Sequence, residues 1–285
     1  MKELVVLSGK GGTGKTTIMA ALSRLVPGAV LADCDVDAPN LHLLVHGETI
    51  EEHDFTASRQ AVLDAAKCNR CGTCVEACRF DAISLDDLSI DELSCEGCDL
   101  CARLCPVEAI AMNDRTSGTW AMSRTAGGIM FRARLAPGEG NSGKLVTLLK
   151  RQARRYASGS NASLVLVDGP PGVGCPAIAA LSGADMALLV AEPSRSGKAD
   201  AERALALCRQ MDVPPVMTIN RWDLHPGLAD ELEELARQEG VPLLTRIPFD
   251  EDVHRCAAAG RVADAGPAGR AVGELWASLR RLLLD

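Results

Sequence analysis

Short unbroken apolar runs recur along the chain, separated by stretches with helical periodicity. Glu3–Ser8 (ELVVLS) is β-branched and apolar throughout, the pattern of a strand buried on both faces of a parallel sheet. Ala29–Cys34, Ser163–Val167, Met186–Ala191, Pro215–Asn220 and Val241–Ile247 read the same way. Between them, Lys198–Met211 and Leu228–Gln238 carry apolar residues at helical spacing, as do Leu145–Tyr156 and the IMAALSRLV run after Thr17. Strand alternating with helix predicts an α/β fold, a doubly wound and mostly parallel sheet. The amphipathic stretch Glu274–Asp285 ends without a basic tail, which favours a helix packed on the sheet over one lying on a membrane.

Composition narrows this picture. A length of 285 residues allows one large domain or two smaller ones. Hydrophobic residues at 47% and charged residues at 24% argue against wholesale disorder. The net charge of −8 argues against a globally basic nucleic-acid binder. No apolar run reaches membrane-spanning length, and the N-terminus enters a Gly-rich loop within its first ten residues, unlike a signal peptide. The expectation is a cytoplasmic protein with neither a nucleic-acid partner nor a membrane span.

The 12 cysteines then point to metal binding or catalysis, not to disulfides. Four are scattered: Cys34, Cys175, Cys208 and Cys256. The other eight read C68-N-R-C71-G-T-C74-V-E-A-C78 and C95-E-G-C98-D-L-C101-A-R-L-C105-P106. This is C-x2-C-x2-C-x3-C written twice, and Ala82-Ile83 recurs as Ala109-Ile110 at the same offset. The duplication matches the bacterial two-cluster ferredoxin pattern, in which the fourth cysteine of each run ligates the other cluster. One [4Fe–4S] cluster is thereby assigned Cys68, Cys71, Cys74 and Cys105. The second is assigned Cys78, Cys95, Cys98 and Cys101. A pair of zinc knuckles is the alternative use of C-x2-C. Arg79 stands where the second run has Pro106, a departure that removes no ligand. Among the single thiols, Cys175 is expected to be buried as a small hydrophobe.

The strand at Glu3–Ser8 runs into G9-K10-G11-G12-T13-G14-K15-T16-T17, then into a helical pattern. Strand, G-x4-G-K-T and helix together make a P-loop, whose backbone N–H groups cradle phosphates beside a helix N-terminus. Lys15 would contact the β- and γ-phosphates of ATP or ADP, and Thr16 would ligate Mg²⁺.

With its second lysine, the loop resembles that of the MinD/ParA group of deviant Walker ATPases, with nitrogenase iron protein a wider relative. The resemblance implies that Lys10 reaches across an ATP-dependent homodimer to stabilise charge on the partner's nucleotide. D33-C-D35-V-D37-A-P-N40-L41 resembles the family's switch I. It implies that Asp35 positions the attacking water and helps organise Mg²⁺; Asp37 falls where MinD has glycine. D168-G-P-P-G172 resembles Walker B and switch II, implying that Asp168 holds Mg²⁺ and that Gly172 senses the γ-phosphate. Asn220-Arg221 and the Ile247–Asp250 stretch, with Pro248 and Asp250, resemble the segments around the adenine. Catalysis would then fall to Lys10, Lys15 and Asp35. Nucleotide binding would fall to the loop residues Gly9, Lys10, Gly11, Gly12, Thr13, Gly14, Lys15, Thr16 and Thr17. Gly172, Asn220, Arg221, Pro248 and Asp250 would complete that site.

The cysteine repeat lies between switch I and Walker B, so it reads as an insertion. The expected organisation is a discontinuous P-loop domain of 1–58 and 114–285 with an inserted small α+β ferredoxin-like domain of 59–113. The arrangement resembles MinD-superfamily ATPases with an inserted ferredoxin. That implies ATP hydrolysis coupled to electron transfer, with a redox partner protein, in the cytoplasm of an anaerobe. Two alternatives are an assembly factor inserting a metallocofactor into a client protein and a ParA- or MinD-type positioning ATPase with a redox sensor. Asn141–Lys144 reads as a surface turn before a helix, and the five histidines show no ligand spacing.

Overall fold

The computed structural model describes residues 1–284. The chain runs β1 (Lys2–Ser8), α1 (Lys15–Leu25), β2 (Val30–Asp33), β3 (Gly47–Leu63), α2 (Thr73–Ala77), β4 (Ile83–Ser84) and β5 (Ser89–Ile90). It continues α3 (Leu100–Leu104), β6 (Ile110–Thr125), β7 (Gly128–Leu135), α4 (Ser142–Gly159), β8 (Leu164–Pro171), α5 (Cys175–Leu181) and β9 (Met186–Ala191). The last elements are α6 (Gly197–Gln210), β10 (Pro215–Asn220), α7 (Pro226–Gln238), β11 (Leu243–Ile247), α8 (Glu251–Ala258) and α9 (Gly266–Leu283).

Two compact units divide these elements. One comprises Met1–His53, Trp120–Arg134 and Ser142–Asp285; the other comprises Asp54–Thr119 and Leu135–Asn141. The divisions at 53/54 and 119/120 fall inside β3 and β6, because each of these strands runs unbroken through them.

The main sheet has the order β11-β10-β9-β1-β8-β2-β7-β6-β3, with β11 through β7 joined by parallel ladders. The six apolar runs all lie in this parallel part. Burial on both faces explains their lack of alternation: Leu188 and Val190 of β9 join a core with α1 and α9, whereas Leu189 and Ala191 join one with α6 and α7. Helix α9 packs against α1 and β11, with Leu275 and Leu279 fully buried. No helix among the described residues is long and apolar enough to cross a membrane.

Two features depart from the expected elements. Strands β3, β6 and β7 carry none of the unbroken apolar runs, and most of β3 is exposed. Strand β8 also continues past Val167 to Pro171, so Asp168 lies within the strand; a register shift between Val6 and Ser8 of β1 accommodates the extension.

The smaller unit has little apolar core. Ala61, Cys74, Ile83 and Ile110 are its buried cluster, with Cys78, Cys95 and Cys101 packed against it. Helices α2 and α3, of five residues each, carry cysteines of the two repeats. So small a core needs another source of stability.

Candidate functional site

The phosphate loop leaves the C-terminal end of β1, where Ser8 Oγ donates to Lys10 O at 2.7 Å and turns the chain. Gly11 and Gly12 form its crest and are its two exposed residues, whereas the rest of Gly9–Thr17 is at least partly buried. An added Cβ at Gly11 or Gly12 would meet no neighbour within 4 Å, so packing does not require glycine at either place. Gly12 owes its identity to its left-handed backbone, at φ +82°. Nothing in the fold accounts for Gly11; its expected part in phosphate binding rests on the loop motif alone. Gly14, at φ +89°, precedes α1, and a Cβ there would run into Asn220 Nδ2. That amide donates to Thr13 O at 2.7 Å, so Asn220 at the end of β10 pins the loop. Gly172, also left-handed at φ +83°, donates its N–H to Ser8 O at 2.9 Å.

Lys15 and Asp168 form a buried pair at 2.7 Å, with side chains 6% and 0% exposed. Asp168 Oδ2 and Thr13 Oγ1 are buried with no hydrogen-bond partner. Such groups are costly unless a ligand or water completes them. The unpartnered carboxylate oxygen suits a hard cation such as Mg²⁺.

Asp33, the acid that precedes Asp35 in D-x-D and was assigned no role from sequence, is fully buried beside this pair. It accepts N–H groups from Leu41 at 3.1 Å and Asp35 at 3.3 Å, which fixes the switch-I turn. Its signal was its place as the first acid of D-x-D at a strand end. Burial, then the charge of Asp168, pushes its pKa up to about 8. Asp35 is also raised, first by burial. Without nucleotide, the folded chain therefore holds a proton on Asp33 that the unfolded chain releases near 3.8. Between those values rising pH costs stability. Asp33→Asn should flatten this slope in metal-free thermal melts taken from pH 5 to pH 8. An unchanged slope would count against the buried-acid assignment.

Lys10 is not directed into the loop's own cradle. Its Nζ pairs with Glu192 Oε1 at 2.7 Å and donates to Ser194 Oγ at 2.8 Å. Glu192 was not foreseen.

Asn220, Arg221, Pro248 and Asp250 line one cavity of about 440 Å³ together with Gly14 and Thr17. Its remaining wall is largely apolar, with Ile18, Ala21 and Val272, and suits a flat base. Helix α8 borders it through Val253 and Ala257, and its Asp252 and Cys256 line a second cavity of about 720 Å³. No residue of α8 is fully buried. Asp250 caps α8 by accepting the Asp252 N–H at 3.0 Å.

In the smaller unit the eight repeat cysteines separate into two fours. Cys68, Cys71, Cys74 and Cys105 line one hollow; Cys78, Cys95, Cys98 and Cys101 line another. Each hollow thus takes three cysteines from one repeat and one from the other. The Arg70 N–H donates to Cys68 Sγ at 3.4 Å and the Ala109 N–H to Cys105 Sγ at 3.2 Å. Gly97, at φ +63°, lies so close to Arg59 O that a Cβ would not fit. Among the described residues, no three His, Cys, Asp or Glu side chains converge as a single metal ion would require.

The scattered thiols divide. Cys34 and Cys208 are buried, and burial raises both, Cys208 to about 11. Cys175, expected to be buried, is exposed: it is the first residue of α5, ahead of the helix's inward-facing Ala177 and Ala180. Gly143 of α4 lies against it, where an added Cβ would come within 3.5 Å of the Cys175 Cβ.

Comparisons with known proteins show the family and the fold. A family model for the CobQ/CobB/MinD/ParA nucleotide binding domain matches residues 4–262. The uncharacterized protein MJ0578 of Methanocaldococcus jannaschii is 37% identical over 224 residues, covering 77% of this chain and 78% of that protein. MJ0579 of the same organism is 26% identical over 273 residues, covering 91% and 90%. Among solved structures, the MinC:MinD cell division complex of Aquifex aeolicus aligns with a TM-score of 0.59 at 19% identity, covering 99% of this chain and 96% of that one. MinD of Pyrococcus horikoshii complexed with Mg-ADP aligns at 0.58 and 18%, with the same coverage. At these identities the structures show a shared fold. The family match and the relative above 30% identity carry the further conclusion that this chain belongs to the CobQ/CobB/MinD/ParA nucleotide-binding domain family.

Proposed function

We propose that the protein is an ATPase whose nucleotide state is coupled to electron transfer through two [4Fe–4S] clusters. The clusters would be held by a ferredoxin-like insertion at 59–113 within a P-loop domain made of 1–58 and 114–285. The observation that carries this reading is the division of the eight cysteines into two fours, each completed by a cysteine from the other repeat. A cubane spreads its thiolates over four irons, so its ligands surround a hollow and do not converge on one point. The donor set fits that geometry, and backbone N–H groups already face Cys68 and Cys105. When bound, the clusters supply one-electron transfer at potentials tuned by such hydrogen bonds.

At the nucleotide site, Gly9–Gly14 would present N–H groups to the phosphates, those of Gly11 and Gly12 from the exposed crest. Asn220, Arg221, Pro248 and Asp250 would enclose the base. Lys15 would leave Asp168 for the β- and γ-phosphates. The Asp168 carboxylate so freed would hold Mg²⁺ with Thr16 and Asp35; the ion supplies charge neutralisation at the transferred phosphoryl group. Asp35 would orient the attacking water, Gly172 would sense the γ-phosphate, and Lys10 would act across an ATP-bound homodimer. The electron would pass to a protein redox partner.

The test is anaerobic purification, iron and sulfide analysis, and ATPase assays with oxidised and reduced protein. About eight irons per chain are expected, and Cys78→Ser or Cys105→Ser should each deplete iron and sulfide. Zinc in place of iron, or an ATPase rate blind to reduction, would sink the redox reading while leaving the ATPase in place.

A further inference from the structure

Glu192 stands directly after β9, and its side chain is 18% exposed. Its Oε1 lies 2.7 Å from Lys10 Nζ, and its Oε2 lies 3.5 Å from Arg221 Nη1. Lys10 Nζ also donates to Ser194 Oγ at 2.8 Å and to Ser196 Oγ at 3.2 Å. An ammonium has three N–H groups, and the segment between β9 and α6 supplies an acceptor for each.

That segment is tightly wound. The Ser194 N–H donates to Glu192 O and the Gly197 N–H to Ser194 O, both at 2.9 Å. A Cβ on Gly197 would collide with Glu192 O. The carboxylate is therefore presented from a fixed turn, not from a loose loop.

Both cations that it holds flank the nucleotide site. Lys10 belongs to the phosphate loop, and Arg221 lines the base cavity. Polyphosphate carries the same sign of charge as Glu192; bound beside Arg221, or presented to Lys10 across the proposed ATP-bound homodimer, it competes for these two partners. We propose that Glu192 is a positioning residue that holds Lys10 and Arg221 in the nucleotide-free chain and, by competing for them, sets the affinity for phosphate-bearing nucleotides. This rests on the reading of the loop and cavity as a nucleotide site. It requires neither the clusters nor hydrolysis. Each pair is partly exposed, so the competition is moderate and is screened by salt.

The experiment uses full-length Glu192→Gln, which keeps the shape and removes the charge. Calorimetric titration with ATP, ADP and adenosine should give ATP binding about fivefold tighter than in the unaltered protein. The gain should be smaller for ADP and absent for adenosine, which has no phosphate. In a Lys10→Ala background the gain should shrink, as a double-mutant cycle would report. A merely structural role would shift melting temperature without separating ATP from adenosine. Unchanged or weaker ATP binding, or an equal gain for adenosine, overturns the proposal. A second arm needs no nucleotide: acylation of Lys10 by an amine-reactive ester, read by mass spectrometry, should quicken severalfold in Glu192→Gln. An unchanged rate also overturns it. If the unaltered protein binds no ATP, the nucleotide reading falls, and the acylation arm alone decides whether Glu192 holds Lys10.

Discussion

Lys15→Ala is expected to abolish ATP hydrolysis and, at the same time, to destabilise the nucleotide-free protein. Loss of a preorganised donor to the transferred phosphoryl group costs about 10²–10³ in rate. The second effect follows from the apo geometry. Asp168 is 0% exposed, and its Oδ1 depends on Lys15 at 2.7 Å. Its other oxygen is buried with no partner. Removing one member of a buried pair leaves an uncompensated charge, at a cost of about 3–5 kcal/mol. The two effects separate in the double variant. Lys15→Ala with Asp168→Asn should recover much of the stability in urea melts and none of the hydrolysis. If Lys15→Ala alone melts like the parent, the pair does not hold the site together.

Glu3→Ala should be the most destabilising single change away from the nucleotide site. Glu3 and Lys150 are 2% and 3% exposed and stand 2.8 Å apart, and Arg154 also binds Glu3. Lys150 further donates to the carbonyls of Ala180 and Ser182, so the group joins the start of β1 to α4 and the end of α5. Without Glu3, the buried Lys150 ammonium loses its counter-ion while Arg154, 35% exposed, stays beside it, at about 3–5 kcal/mol. Burial already draws the Lys150 pKa below its ordinary 10.5, with Glu3 opposing that pull. In the variant the lysine should lose its proton sooner. The folded state then binds fewer protons than the unfolded one, and stability rises with pH. Urea titrations should therefore show the deficit narrowing toward pH 10. A constant deficit would point to lost packing and not to the stranded charge.

The parts of the molecule that were legible in sequence share a physical cause. The parallel strands announce themselves because burial on both faces demands unbroken apolar runs, and the phosphate loop because its chemistry fixes residue types at fixed spacing. The cysteine spacing divides the eight into two fours, and the two hollows of the smaller unit are lined by the same division. Strands β3, β6 and β7 stayed hidden because they lie toward one edge of the sheet, where β3 in particular reads like surface. Glu192 was unreadable for another reason: it meets Lys10 only after β1 and β9 pair, and no local pattern encodes that meeting. Cys175 shows the limit of a residue-type average, since a thiol at the first position of a helix need not point inward.

Helix α8 bears on the base site in a different way. It forms a wall between two cavities, and Val253 is its apolar contact with the core. A wall with few core contacts can adjust to what it encloses. In the proposed nucleotide complex, any tightening of α8 around the base would draw on the binding free energy. Discrimination among bases would come less from a rigid mould than from which base lets the helix settle.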